Sequence, residues 1–137
     1  MTFQIAVLDD EPSITKLLSL VLKENFDCEV EQFNDPLRAQ ERFGEKKFDV
    51  ITTDHRMPGL TGVGLVKAIR ASQGPNKSTN ILMLTGYREM AASDAIEAGL
   101  TLEKLENVVI LEKPLKEESL VTWVKILLKG KESKKSL

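Results

Sequence analysis

Short apolar runs alternate with amphipathic segments five times along this chain, and this alternation constrains the fold more than any other feature. Runs typical of strands occupy residues 3–10, 28–33, 48–54, 80–85 and 107–111. Segments with helical periodicity follow them at 13–26, 36–43, 63–72, 88–98 and 117–129. Five strands alternating with five helices predict an α/β fold, in which helices cover a mostly parallel sheet on both faces.

The helix boundaries carry local signals that support this division. Asp35 and Pro36 suit an N-cap and a first helical position, and Gly99 suits the end of a helix. The first helix has an apolar stripe formed by Ile14, Leu17, Leu18, Val21 and Leu22. The last has one formed by Leu120, Trp123, Val124, Leu127 and Leu128. We expect both stripes to face the sheet; the weaker alternative for 115–137 is a basic amphipathic helix for a membrane or a calmodulin-like partner.

Composition is that of an ordinary single-domain protein. The 137 residues suffice for one core, and we expect a domain at 1–129 followed by a polar flexible tail or linker stub at 130–137. With 21 acidic against 19 basic residues, the net charge does not indicate binding to nucleic acid or to a membrane surface. The single cysteine, Cys28, excludes an internal disulfide and is expected to be buried. Without signal-peptide features or a long apolar run, a cytoplasmic protein is expected.

Polar side chains end four of the predicted strands. Asp9 and Asp10 end the first strand, and Asp54 ends the third. Thr85 ends the fourth strand, and the fifth runs into Lys113. Because ligands of parallel sheets bind outside the carboxyl ends of the strands, we expect these side chains to meet at one edge.

The expected cluster of carboxylates indicates a divalent cation and a phosphorylated group. Three carboxylates repel one another, and Mg²⁺ relieves that repulsion while binding phosphate oxygens as well. The Gly-rich loop of a dinucleotide fold is missing from the sequence after the first strand. Asp54 stands alone on the middle strand beside an open Met-Pro-Gly turn, so it is the natural phosphoryl acceptor. Lys113 and Thr85 suit contacts with the phosphoryl oxygens.

His55 is the only histidine of the chain and directly follows Asp54. A role as metal ligand or base is unfavourable, because a single histidine and successive residues that point in different directions make a poor metal site. We therefore expect His55 to be an ordinary loop side chain near the site.

Four motifs resemble the receiver domain of two-component response regulators, and they occur in the family's order. They are LDDE at 8–11, TDHRMPGLTG at 53–62, LMLTG at 82–86 and LEKP at 111–114. Each motif alone is weakly specific, whereas four in order with matching chemistry are highly specific. The resemblance covers most of the chain and implies a flavodoxin-like, doubly wound sheet of five parallel strands in the order 2-1-3-4-5.

By resemblance, a sensor histidine kinase or a histidine phosphotransfer protein would donate a phosphoryl group from its phosphohistidine to Asp54. Thr85 and Lys113 would contact that group, and the Lys113–Pro114 peptide bond would be cis. The domain would catalyse only its own phosphorylation and slow dephosphorylation, so it would not be an enzyme in the usual sense. Output would pass through the 85–129 face to a downstream domain or protein, and a phosphorylation-dependent homodimer is a further expectation. No direct contact with nucleic acid or a membrane is expected.

The resemblance also implies a metal site. Asp10 and Asp54 would bind Mg²⁺ directly, and Mn²⁺ could substitute for it. Asp9 would bind mainly through water, and the backbone carbonyl of Arg56 would be a further ligand. No organic cofactor is expected.

Three features depart from the family pattern. Ile110 stands where the family usually has an aromatic switch residue, so no ring is present to rotate inward. The segment 99–112 is longer than usual and is expected to extend the fourth helix or to add a turn. Arg56 and Tyr87 occupy positions that tune dephosphorylation in the family.

Two other functions stay open at this stage. A phosphohydrolase with an aspartyl-phosphate intermediate would need a second acid two residues after its nucleophile, where this chain has Arg56. A degenerate receiver would act only by protein–protein contact, which the departures at Ile110 and 99–112 keep open.

Overall fold

The computed structural model describes residues 2–100 and 105–136, with side chains described as far as residue 129. Its strands are β1 (Phe3–Leu8), β2 (Cys28–Phe33), β3 (Val50–Asp54), β4 (Asn80–Thr85) and β5 (Val108–Glu112). Its helices are α1 (Pro12–Asn25), α2 (Pro36–Phe43), α3 (Gly62–Ala71), α4 (Arg88–Glu97) and α5 (Glu117–Ser136). The alternation of strands and helices is the one that the sequence predicts.

The strands form one parallel sheet in the order β2-β1-β3-β4-β5. This confirms the predicted fold and strand order. The register pairs Leu8 with Thr53 and Asp54 with Leu84, so the ends of β1, β3 and β4 lie at nearly the same level. Residues that directly follow β1 therefore share an edge of the sheet with the ends of β3 and β4.

Two apolar layers hold the sheet between its helices. On one face Ala6 and Leu8 of β1 pack in a cluster with Phe43 of α2, Leu65 of α3 and Ala91 of α4. On the other face Ile5 and Val7 pack in a cluster that joins α1 and α5. Successive residues of a strand point to opposite faces, so the nearly continuous apolar runs follow from burial on both sides.

The predicted helix boundaries agree with local geometry. The Asp35 carboxylate accepts a hydrogen bond from the Leu37 N–H at 3.0 Å, as an N-cap does. Gly99 has a φ of +76°, the left-handed conformation that commonly follows the end of a helix. Because α4 ends at Glu97, this helix does not extend into the 99–112 segment; residues 105–107 form a turn, the other outcome that was expected. Residues 101–104 of that segment lie outside the described part of the chain.

The inward face of α1 differs from the predicted stripe. Leu17 is 56% exposed, whereas Thr15 and Ser19 are buried. Thr15 Oγ1 donates to the Pro12 carbonyl and accepts a hydrogen bond from Asn34, so its burial leaves no polar group unsatisfied. Periodicity alone could not show this, because it ranks side chains by hydropathy and not by the partners they meet.

Two further expectations change at Cys28 and at the C-terminal helix. Cys28 is half-buried, and burial raises the pKa of its thiol. Helix α5 continues to Ser136, beyond the predicted boundary near 129, although Gly130 disfavours helix and only the lysines and the glutamate of this segment favour it. Leu120, Val124 and Leu128 are buried in the core, which disfavours the alternative of a free amphipathic helix. The division into a domain at 1–129 and a tail remains a prediction.

The loop between α3 and β4 contains a buried polar network at the opposite edge of the sheet. The Asn76 side-chain amide donates to the Phe43 and Lys46 carbonyls at 2.7 Å, and its oxygen accepts the Phe48 N–H at 2.9 Å. The guanidinium of buried Arg70 donates to backbone carbonyls of the same loop, including that of Thr79 at 2.8 Å. The sequence predicted a loop here, but not that its polar side chains would be interior.

Candidate functional site

Three carboxylates meet at the predicted edge of the sheet. Asp9 and Asp10 directly follow β1, and Asp54 is the last residue of β3. One oxygen from each carboxylate lies within 4.8 Å of the others. Asp9 is buried, Asp54 is half-buried and Asp10 is exposed, so the cluster opens toward solvent. The convergence predicted for these three residues is therefore present.

Lys113 completes the cluster from the loop after β5. Its ammonium nitrogen lies 3.1 Å from Asp9 Oδ2 and 3.6 Å from Asp54 Oδ1. The Lys113 backbone N–H donates to the Thr85 carbonyl at 2.7 Å, which fixes the lysine beside the end of β4. The Lys113–Pro114 peptide bond is cis, as the resemblance implied.

The cluster contains more carboxylates than ammonium groups, even with Lys113 included. Burial raises the pKa of the Asp54 carboxyl; Lys113 and the His55 backbone N–H oppose this, and the charges of Asp9 and Asp10 add to it. Burial alone would lower the pKa of the Lys113 ammonium, but the hydrogen bond with Asp9 and the charge of Asp54 raise it. One ammonium among three carboxylates leaves room for further positive charge.

The two aspartates after β1 differ in how many partners they already have. Asp9 Oδ1 accepts the Glu11 N–H at 3.0 Å, and Oδ2 accepts from Lys113. Among the described residues, none donates a hydrogen bond to the Asp10 carboxylate. Asp9 is thus fixed by the protein, whereas Asp10 is open to an external ligand.

A tight turn after β3 positions the Asp54 carboxylate. The His55 N–H donates to Asp54 Oδ1 at 2.8 Å. The Gly62 N–H donates to the His55 carbonyl at 2.7 Å, which closes the loop onto its own strand. A Cβ at Gly62 would lie 2.4 Å from the Asp54 carbonyl oxygen, so only glycine permits this approach.

Thr85 lies at the end of β4 and is buried. Its hydroxyl accepts the Tyr87 N–H at 3.2 Å. The strand register pairs Asp54 with Leu84, so Thr85 is one residue beyond the level of the acceptor carboxylate. The predicted contact of Thr85 with a phosphoryl group stays a prediction.

Arg56 and Tyr87 form a contact at the exposed side of the site. The Arg56 guanidinium lies 5.4 Å from the centre of the Tyr87 ring and also donates to the Met90 sulfur. These contacts join the loop after β3 to the start of α4. The Arg56 carbonyl remains a prediction as a metal ligand.

His55 lies in the loop after β3 beside the site, as expected, but its imidazole is only 2% exposed, so it is not an ordinary loop side chain. Nε2 lies 2.7 Å from Asp94 Oδ2 on α4, and Nδ1 accepts the Val63 N–H at 3.3 Å. No signal in the sequence paired these residues, although Asp94 follows Ala91 at the three-residue spacing that puts two side chains on neighbouring positions of a helix face.

Two described residues of the atypical 99–112 segment, Leu105 before β5 and Ile110 within it, lie on the same face of the sheet as α4. Ile110 is half-buried and packs against the apolar cluster that contains Ala91 and Ala95. Leu105 packs against the same cluster, and Asn107 has a φ of 66° at the turn before β5. The position expected to hold an aromatic switch residue is therefore filled by an aliphatic side chain.

A comparison with protein families decides the class of the molecule. The model of the response regulator receiver domain matches residues 5–125. This chain belongs to that family. Receiver domains are signalling modules that partner with histidine kinases, and they are not enzymes in the usual sense.

Individual relatives of this receiver domain include longer response regulators. The DNA-binding response regulator MtrA of Mycolicibacterium smegmatis is 32% identical over 133 residues, which are 96% of this chain and 53% of MtrA. The transcriptional regulatory protein FixJ of Bradyrhizobium diazoefficiens is 30% identical over 128 residues, 93% of this chain and 58% of FixJ. This chain thus spans about half the length of these relatives.

Solved structures share the fold of this receiver domain. The chemotaxis response regulator CheY4 of Vibrio cholerae is 30% identical with a TM-score of 0.76, covering 93% of this chain and 99% of that one.

Among the described residues, no helix is both long and apolar enough to cross a membrane.

Proposed function

We propose that this receiver domain is a phosphorylation-dependent signalling switch with Asp54 as its phosphoacceptor. The observation that carries the proposal is the position of the Asp54 carboxylate, between the Lys113 ammonium and two further carboxylates at an open edge of the sheet. A phosphoryl group needs a nucleophilic oxygen and nearby positive charge, and this edge offers both.

The two oxygens of Asp54 have different surroundings. Oδ1 accepts from His55 and lies near Lys113. None of the described residues donates a hydrogen bond to Oδ2, so this oxygen is open to a phosphoryl donor. In the proposed transfer, the phosphorus–nitrogen bond of a partner phosphohistidine breaks as a phosphorus–oxygen bond to Asp54 forms. Water later cleaves the new bond, and inorganic phosphate leaves.

The donor set suits Mg²⁺, with Mn²⁺ as a substitute. The oxygens of three converging carboxylates are ligands that hard divalent cations prefer. We propose that Asp10 and Asp54 bind the metal directly together with the Arg56 carbonyl. Asp9, whose oxygens already accept from Glu11 and Lys113, would bind through water. The metal would supply charge neutralisation for the phosphoryl oxygens.

Lys113 and Thr85 complete the proposed site. Lys113 would neutralise one phosphoryl oxygen, and the Thr85 hydroxyl would donate to another. Because the Tyr87 N–H donates to this hydroxyl, a movement of Thr85 toward the phosphoryl group would pull on the start of α4. The output would then leave through the 85–129 face.

The proposed partners follow from this chemistry. A sensor histidine kinase or a histidine phosphotransfer protein would supply the phosphoryl group, and a downstream domain or protein would read the 85–129 face. A phosphorylation-dependent homodimer is also proposed. We propose a cytoplasmic location, with no direct contact of this domain with nucleic acid or a membrane.

A phosphohydrolase is the less favoured alternative. It would need an acid at position 56, where the chain has an arginine whose guanidinium lies over the Tyr87 ring. A degenerate receiver is also less favoured, because the five side chains of the proposed site are all present, namely Asp9, Asp10, Asp54, Thr85 and Lys113.

Incubation with phosphoramidate and Mg²⁺, followed by intact mass measurement, tests the proposal. We expect one phosphoryl adduct, which disappears with Asp54→Asn or with EDTA. The matched control is Asp35→Asn, since asparagine caps a helix as well as aspartate does. No adduct with any donor would favour a degenerate receiver, and turnover of many phosphate esters would favour a phosphohydrolase.

A further inference from the structure

We propose that His55 is a positioning residue that couples the phosphoacceptor loop to helix α4 through Asp94. The inference rests on the proposed function, because it concerns how phosphorylation of Asp54 would reach the output face. It adds a physical connection in a chain whose position 110 has no aromatic ring.

A continuous set of hydrogen bonds leads from the acceptor carboxylate to the helix. The His55 backbone N–H donates to Asp54 Oδ1 at 2.8 Å, and the ring Nε2 lies 2.7 Å from Asp94 Oδ2. The same residue therefore touches the acceptor with its backbone and α4 with its side chain. No intervening side chain has to move for a shift of the loop to reach Asp94.

The second ring nitrogen fixes the orientation of the imidazole. Nδ1 accepts the Val63 N–H at 3.3 Å, at the start of α3. This acceptor role leaves Nε2 to carry the hydrogen and donate to Asp94. Since His55 is 2% exposed, water cannot replace either bond without opening the structure.

The surroundings of α4 make this connection important. The buried residues of the helix are the small side chains Ala91 and Ala95, and its N-cap, Tyr87, makes no side-chain capping bond. Among the described residues, α4 receives two hydrogen bonds from the loop after β3, one from His55 and one from exposed Arg56 to Met90. The His55–Asp94 bond is the one with a buried donor.

Asp94 permits a test that leaves the proposed phosphorylation site intact. It is half-exposed and does not contact the carboxylate cluster. Asp94→Ala removes the acceptor, Asp94→Asn keeps an oxygen that can accept from Nε2, and Glu97→Ala is a matched control on the exposed side of α4. At position 55, glutamine retains a donor near the place of Nε2, whereas asparagine retains only a group near Nδ1.

Amide hydrogen exchange of these proteins, with and without beryllium trifluoride and Mg²⁺, measures the coupling. In the wild type we expect the phosphoryl analogue to change exchange in peptides from 54–62 and from 88–98. In Asp94→Ala and His55→Asn the change at 54–62 should persist while that at 88–98 falls by about fivefold, the factor that one ordinary hydrogen bond gives. Asp94→Asn, His55→Gln and Glu97→Ala should keep a response close to that of the wild type.

The outcomes separate this inference from the proposed function. If the wild type neither binds beryllium trifluoride nor forms an adduct with phosphoramidate, the proposed function fails and the coupling fails with it. If the wild type responds at 54–62 but Asp94→Ala retains the full response at 88–98, the coupling through His55 is wrong while the phosphoacceptor function stands. A wild type that responds at 54–62 but not at 88–98 also overturns the coupling.

Discussion

The Lys113 ammonium lies 3.1 Å from Asp9 Oδ2, although 104 positions separate the two residues in the chain. This ion pair joins the loop after the edge strand β5 to the residue that directly follows the interior strand β1. Asp9 is buried and Lys113 is about one-third exposed, so the pair lies at the boundary between core and solvent. Lys113 thus has a structural role in the resting protein in addition to the proposed contact with a phosphoryl group.

Lys113→Met should destabilise the metal-free protein by about 1–2 kcal/mol, because buried Asp9 loses a charged donor while solvent still screens part of the site. Urea unfolding in EDTA measures this loss, and Lys116→Met, at an exposed lysine nearby, is the matched control. The same variant should bind Mg²⁺ more tightly, since the cluster loses its positive charge. Equal stability of the two variants would contradict the structural role of Lys113.

Asp54→Asn should stabilise the metal-free protein at neutral pH. The pKa of the Asp54 carboxyl is raised in the folded state, chiefly by burial, so the folded state holds this proton more tightly than the unfolded state. The stability that this group contributes is present at low pH and is lost as the pH rises from about 4 through the raised pKa. Asparagine does not titrate, so its advantage over the wild type should grow over that range.

Thermal unfolding in EDTA between about pH 4 and pH 7 measures this difference, with a rise in Tm of roughly 3 °C for each kcal/mol. Asp35→Asn at the exposed N-cap serves as the control. A wild type that is more stable than Asp54→Asn at pH 7 without metal would show that the carboxylate is stabilised in place, against the expected effect of burial.

Mg²⁺ should stabilise the protein by about 2.7 kcal/mol at a hundredfold excess over its Kd, as any ligand specific to the folded state does. Asp10→Asn should weaken binding at least about tenfold, equivalent to ~1.4 kcal/mol, whereas Glu11→Gln should change it little. Isothermal titration calorimetry measures the Mg²⁺ affinities of the two variants. Mg²⁺ should also quench Trp123 only slightly, because this residue of α5 packs against the apolar cluster that joins α1 and α5 and is not part of the carboxylate cluster. Unchanged affinity in Asp10→Asn would contradict the proposed metal site.

Asn76→Ala should lower the free energy of unfolding by about 3 kcal/mol or more, because the buried Phe43 carbonyl, the partly buried Lys46 carbonyl and the buried Phe48 N–H would lose their partner. The formation of the Asp54 adduct should persist under native conditions, since Asn76 lies at the opposite edge of the sheet. Chemical denaturation and intact mass measure the two effects, with exposed Lys77→Ala as the control. A loss of adduct without a loss of stability would show that this loop communicates with the site.

The alternation of elements predicted the parallel sheet and the convergence of Asp9, Asp10, Asp54 and Lys113, because the ends of parallel strands must meet at one edge. The strand order came from the resemblance to receiver domains. Periodicity did not predict which polar side chains would be interior. Their burial depends on partners from distant segments, and pattern within one segment carries no information on such partners.

His55 is the clearest case of that limit. Its position after Asp54 predicted an ordinary loop side chain. Only the packing of α4 brings Asp94 to within 2.7 Å of its ring. The exposure of Leu17 has the same origin, since buried Thr15 and Ser19 take the inward positions where Asn34 can satisfy Thr15. The continuation of α5 to Ser136 was missed because the polar composition from Gly130 onward was taken as a boundary, although lysine and glutamate favour helix.

The most direct test of the central claim is to locate the phosphoryl group. After incubation with phosphoramidate and Mg²⁺, borohydride reduces an acyl phosphate to an alcohol, and peptide mass spectrometry then finds the altered residue. We predict homoserine at position 54, dependent on Mg²⁺, with Asp9 and Asp10 unchanged. Homoserine at position 9 or 10, or none in a protein that binds Mg²⁺, would contradict the assignment of Asp54 as the phosphoacceptor.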